Sequence, residues 1–135
     1  MSNFYNREAL QTLAKRFPMM DIDAMETFMG VITVIRKLTG GMDSYFQTFG
    51  VSQAGFKVMM NLLYEGGEVG VSPATLSENL CVTRATVTGV LDTLENNGWI
   101  ERKPDPNDRR ALLICLTEAG QKKLDDILPV HYGRI

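Results

Sequence analysis

"TRATVTGVLDTLENNGWIERKPDPNDRRALLICLT", residues 83–117, changes its period partway along. Up to Asn97 the apolar residues Val87, Val90, Leu91 and Leu94 recur at three and four, the inward stripe of a helix. Thr83 stands where an N-cap belongs, and Gly98 stands just past the last helical residue. From Trp99 the period shortens to two. Trp99 and Ile100, then the alternating Leu112, Ile114 and Leu116, predict two strands, with "KPDPNDRR" joining them. Upstream, "SPATLSENL" puts Ser72 at an N-cap, Pro73 at the first helical position, and Leu76 and Leu80 on a buried edge. The turn between the two helices is Cys81-Val82, so the pair has the outline of a helix-turn-helix.

Working outward, Ser52 caps a helix whose face is Phe56, Met59, Leu62 and Leu63, ending at Gly66-Gly67. Before it, Asp21 offers an N-cap to a long helix in which Ile22, Met25, Met29, Ile32, Ile35, Leu38, Met42, Tyr45 and Phe49 keep helical spacing. Gly40-Gly41 lies inside it at a cost of roughly 1 kcal/mol per glycine, which predicts a weak point or kink before Gly50 ends the helix. Leu10, Leu13 and Phe17 predict a short helix that stops ahead of Pro18. Thr117 caps the last helix, where Leu124, Leu128 and Ile135 carry the stripe and Pro129 interrupts it. The fold class is mainly α with a small β-hairpin.

At 135 residues and 44% hydrophobic, the chain has the material for one real core. Fourteen Lys plus Arg oppose 16 Asp plus Glu, a net charge of −2, so any polyanion would have to meet cations concentrated on one surface. Cys81 and Cys115 have neither metal-ligand spacing nor a second pair, and read as small packing residues. With no signal peptide and no long apolar span, a reducing cytoplasmic setting and no membrane partner are expected. His131 is the single histidine, more in keeping with a packed or exposed residue than a ligand, so no metal or cofactor is expected. An enzyme fails on inventory, for there is no Ser/His/Asp spacing and no glycine-rich phosphate loop after a strand.

Two surfaces carry chemistry. With the stripe of residues 84–97 turned inward, the opposite face holds Ala85, Gly89 and Asp92, with Thr86 and Thr88 beside them, Arg84 on the flank and Thr83 at the head. A solvated helix usually carries long charged residues there; a helix entering a DNA major groove needs a low profile and short hydroxyls near base edges. The plain surface helix is the competing reading. The second surface is the linker, where Pro104 and Pro106 fix two φ angles and stiffen an arm bearing Lys103, Arg109 and Arg110. Asp108 can orient a neighbouring arginine, and an arginine at a hairpin tip suits a narrow minor groove. A solvated turn is the commoner meaning of such a loop alone; its place after a helix-turn-helix favours the first.

From about Val51 to Thr117 the sequence resembles the MarR family of winged-helix transcriptional regulators. The resemblance rests on "L-E-x-x-G-x-I-x-R" at Leu94 to Arg102, "D-x-R" at Asp108 to Arg110 and "L-T-x-x-G" at Leu116 to Gly120. It implies a ligand-responsive homodimer, a repressor or activator, with the Thr83–Asn97 helix in the major groove of a pseudo-palindromic operator and Arg110, oriented by Asp108, in the minor groove. It implies a division into N-terminal dimerisation helices at 1–50, the winged helix-turn-helix at 51–117, and the start of a C-terminal dimerisation helix at 118–135. Family members often accept small aromatic or phenolic effectors in a cleft beside the dimer helices, which here nominates Met29, Ile32, Arg36, Met59 and Tyr64. Members usually run through a further clasping helix, so stopping at Ile135 reads as a cut, and a weakened dimer is expected, with Tyr5 to Phe17 compensating. The reactive N-terminal cysteine of the peroxide-sensing branch and the histidines of the zinc-responsive branch are missing. The alternative is a winged-helix module that binds protein, which the net negative charge and the acidic "DID" and "LDD" segments fit.

Overall fold

In the computed structural model, residues 6–133 are described, and the chain divides into two compact units, 1–44 and 45–135. The boundary falls inside a helix.

In the first unit, α1 (Arg7–Arg16) starts where the Asn6 side chain accepts the Ala9 N–H at 2.8 Å, and it ends at Phe17. α2 (Ile22–Gln47) begins where Asp21 accepts the Ala24 N–H at 3.0 Å. The Arg7 guanidinium reaches Asp23 at 3.1 Å and also pairs with Glu26, so the two helices are tied by charge. The weak point expected at Gly40-Gly41 does not interrupt α2, which is helical from end to end. A glycine lowers helix propensity but removes no backbone donor, so the ladder can run through it. Along α2, Met25, Met29 and Ile32 are half-buried, while Phe28, Val31, Ile35 and Leu38 stand exposed.

The second unit holds the end of α2, then α3 (Gln53–Asn61), a π-helical turn (Leu62–Gly66), α4 (Pro73–Asn79), α5 (Arg84–Asn96), β1 (Ile100–Pro104), β2 (Leu112–Leu116) and α6 (Glu118–Tyr132). Ser52, Ser72, Thr83 and Thr117 each cap the helix that follows, as their types and positions predict. Instead of one helix to Gly66, α3 gives way to the wider π turn, which turns Leu62 and Gly66 inward and leaves Leu63 half-buried. Gly98 takes φ +75 and closes α5, with the Trp99 N–H donating to the Leu94 carbonyl at 3.0 Å. Trp99 therefore belongs to the helix end, and the strand starts at Ile100.

β1 and β2 pair antiparallel from Ile100↔Leu116 to Pro104↔Leu112, so Lys103 and Pro104 belong to the strand and the connection is shorter than "KPDPNDRR". The alternation expected of β2 fails: Leu113, Ile114 and Cys115 are all buried and Leu112 is exposed. The segment before α4 covers the second face. Val71 and Ile114 exchange both backbone hydrogen bonds (2.8 and 2.9 Å), and the Cys115 thiol lies 3.5 Å from the Val69 carbonyl. Around this hairpin Met59, Leu76, Leu91, Leu94, Ile100, Ile114, Leu124 and Ile127 form the enclosed core.

α6 continues through Pro129, against the expected interruption. The proline deletes one N–H, and the helix runs on to Tyr132, where the Gly133 N–H donates to the Pro129 carbonyl at 3.1 Å. Ile127 is fully buried and Leu128 only partly, which rotates the inner stripe by one residue from the predicted one. His131 is a packed residue, its ring 5.3 to 5.9 Å from those of Tyr45, Phe46 and Phe56. Cys115 packs as expected but Cys81 does not. It is exposed at φ +54 in the turn between α4 and α5, because that helix end needs a left-handed residue and the sequence supplies no glycine there. The expectations at Tyr5 and Ile135 fall outside the described residues.

Candidate nucleic-acid interface

The head of α5 is built by hydroxyls. Thr83 accepts the Thr86 N–H at 3.2 Å, and the two side-chain oxygens are 2.9 Å apart. One turn on, the Thr88 hydroxyl donates to the Arg84 carbonyl at 2.9 Å, leaving its lone pairs and methyl to face outward. Val87, Leu91 and Leu94 are buried beneath, so Thr83, Arg84, Ala85, Thr86, Thr88 and Gly89 are all exposed together on one face. A Cβ placed on Gly89 would meet nothing within 4 Å. Packing inside the protein therefore gives no reason for the glycine, which costs roughly 1 kcal/mol in a helix interior.

Asp92, at the centre of that face, is held by an ion pair. Its carboxylate takes the Arg102 guanidinium at 2.7 Å, and a second nitrogen of Arg102 pairs with Glu95. The expected interface did not include Arg102. The signal was present: period two puts Arg102 on the same face of β1 as Ile100, and Asp92 and Glu95 are one helical turn apart.

At the tip of the hairpin, the Asp108 carboxylate accepts the backbone N–H of Arg110 at 2.9 Å and its carbonyl accepts the Ala111 N–H at 3.0 Å. Asp105 accepts the Asn107 N–H at 2.8 Å. Two such side-chain turns, with Pro104 and Pro106, set the shape of the tip. Asp108 thus holds Arg110 through its backbone N–H, with no ion pair to the guanidinium among the described residues. Arg109 and Arg110 are exposed and make no ion pair among the described residues. Lys103 differs, since its ammonium lies 3.0 Å from Glu101, whose hydrogen bond and charge raise it above the ordinary lysine value.

Of the candidate effector contacts, Met29, Ile32 and Arg36 lie on α2 in the first unit, and Met59 and Tyr64 in the second. Met59 is fully enclosed and Tyr64 is exposed on the π turn. A groove of about 440 Å³ runs along α5 instead, lined by Ser52, Gly55, Thr86, Gly89, Thr93 and Trp99 among others. Among the described residues no side chains cluster as a metal site, and no helix is long and apolar enough to cross a membrane.

The family model "MarR family" matches residues 51–112, the span from α3 through β1 to the first residue of β2. The HTH-type transcriptional repressor YetL of Bacillus subtilis (strain 168) is 33% identical over 122 residues, covering 90% of this chain and 72% of that protein. The HTH-type transcriptional regulator PecS of Dickeya dadantii (strain 3937) is 27% identical over 114 residues, 84% and 69% of the two chains. Among solved structures, wild-type apo MarR from Escherichia coli superposes with a TM-score of 0.63 at 29% identity, over 71% of this chain and 68% of that one. AbsC from Streptomyces coelicolor reaches 0.77 at 21% identity over 84% and 76%, a likeness of fold. With its helix-turn-helix, hairpin and capping pattern in place, the chain belongs to the MarR family of transcriptional regulators, and it is not an enzyme.

Proposed function

We propose that the chain acts as a homodimer reading a pseudo-palindromic operator, with α5 in the major groove and the hairpin tip in the minor groove. The observation that carries this is Gly89: an exposed glycine in the middle of a 13-residue helix, with open space where its side chain would be. Such a residue lowers stability and is useful only if another surface must come close. Arg109 and Arg110 supply the unpaired cations for the second groove, and Arg84 flanks the first.

The test is selection from a random duplex library followed by titration of the recovered sequence. Gly89→Met should raise thermal stability by about 0.5 kcal/mol and weaken the selected duplex by about tenfold. Unchanged affinity in the more stable variant would remove the argument. Arg110→Ala should lose affinity most where the flanks are A·T-rich, and Thr88→Val should change preference at central bases by about 1–3 kcal/mol. A protein-binding module would instead show no selected sequence and no slope of log K against log salt.

The signal assigned to this dimer is a small aromatic or phenolic compound. Of the nominated contacts, Met59 is fully enclosed, which removes it from the candidates a ligand could touch. Benzoate and phenol, titrated into the preformed DNA complex, test it by release of the duplex.

A further inference from the structure

Arg102 is 26% exposed and spans two carboxylates of α5, Asp92 at 2.7 Å and Glu95, one nitrogen to each. A guanidinium presents its nitrogens in a rigid planar fork, so an arginine gripping two acids one turn apart is fixed in both position and rotation. A lysine could grip only one at a time. Along β1, Ile100 is buried, Arg102 is half-buried, and Lys103 and Pro104 beyond it are exposed. On the face turned towards α5, Arg102 is therefore the last side chain of β1 that ties the hairpin to the helix. Past it the ribbon runs out to the tip that carries Arg109 and Arg110.

Charge points the same way. Asp92 lies on the exposed face of α5 and is 58% exposed, so without a partner it would place a negative charge against a phosphate backbone. Glu95, 39% exposed, would add a second. Arg102 offsets one of the two charges and turns both carboxylates towards the hairpin.

We propose that Arg102 is a positioning residue for DNA recognition: by clasping Asp92 and Glu95 it fixes the angle of the wing to the recognition helix and shields both acids from the phosphates. The inference rests on the two-groove reading above. Contact with phosphate is not its task, because its guanidinium is already committed to two carboxylates.

The probes are the duplex selected by the wild-type chain and a scrambled duplex of equal length, followed by anisotropy from ~50 to ~300 mM KCl and by hydroxyl-radical footprinting. Arg102→Gln should bind the selected duplex about tenfold more weakly and lose protection in the flanking minor groove. Its slope of log K against log salt should stay within ~0.5 of wild type, whereas loss of one phosphate contact would lower it by ~0.9. The Asp92→Asn, Glu95→Gln pair keeps the cation but opens the clasp from the other side, and it serves if Arg102→Gln does not fold. It should also lose flank protection, with no loss of affinity for the scrambled duplex. A slope reduced by ~0.9 with flank protection intact would make Arg102 a phosphate contact and overturn the inference. So would wild-type protection in both variants. If the wild-type chain selects no sequence, the two-groove reading fails first and the inference goes with it.

Discussion

Cys81 occupies a backbone conformation that a side chain resists. Its φ of +54 lies in the left-handed region, and its N–H donates to the Glu78 carbonyl at 3.1 Å while the Val82 N–H reaches back to Ser77 at 3.1 Å. These bonds close the end of α4, and in such an arrangement glycine is the usual occupant. Cys81→Gly should therefore raise stability by about 0.5–1 kcal/mol, part of the gain being lost to the greater freedom of the unfolded chain. Urea denaturation at equilibrium measures it, and a less stable variant would mean that the thiol makes a contact worth more than the strain. At this scale the sequence was legible where a residue type has one strong use. Ser52, Ser72, Thr83 and Thr117 were readable as caps because a short hydroxyl just before an apolar helical stripe has few other purposes. Cys81 was not readable, because nothing in a cysteine announces a positive φ. Nor was the target of Asp108, since a carboxylate two residues before an arginine can serve its backbone or its side chain equally well.

Elements are joined at one crowded point, and it gives the "L-T-x-x-G" stretch a physical meaning. The Thr117 hydroxyl accepts the Gly120 N–H at 3.0 Å and donates to the Gly98 carbonyl at 2.6 Å, so one side chain both starts α6 and holds the end of α5. Three residues on, α6 presses against the same turn. A Cβ on Gly120 would lie 2.0 Å from the Trp99 carbonyl oxygen and 2.9 Å from a Leu116 methyl. Backbone cannot yield there as a side-chain end could, so Gly120→Ala should cost about 1–3 kcal/mol in denaturant titration. A loss near zero would show that the turn at Trp99 is soft. Sequence periodicity found α5 because its inner stripe is buried at helical spacing, and it placed both strands by the change of period after Asn97. It failed where an element is covered from an unexpected side. The segment through Val71 buries the second face of β2, and the wider turn after Asn61 shifts the inner residues of the third helix's end. Pairing partners distant in sequence and a change of helical pitch leave no mark on a local pattern.

For the molecule as a whole, the exposed face of α2 is the feature that a single chain leaves unexplained. Phe28, Val31, Ile35 and Leu38 follow one another at three- and four-residue steps, and each is about half exposed or more, from 49 to 67%. Scattered apolar residues are ordinary on a surface, but a continuous helical stripe of them marks a place where another protein surface packs. In the homodimer proposed above, a second copy of the chain would cover this stripe across a two-fold axis. The net charge of −2 fits this reading, because the cations needed for DNA lie on the wing and the head of α5 and need not dominate the rest of the surface. Val31→Glu combined with Leu38→Glu places charge within the stripe and at its end while leaving the enclosed core untouched. Sedimentation equilibrium should then show the dimer dissociating at concentrations at least ~100-fold higher than wild type, with thermal unfolding of the second unit little changed. Affinity for a palindromic duplex should fall towards that for a single half-site, because the gain from binding both halves together is lost when the chains separate. Equal dimer constants for the variant and the wild type would show that the stripe faces solvent or a different partner, and the two-fold assembly would then have to be built from another surface.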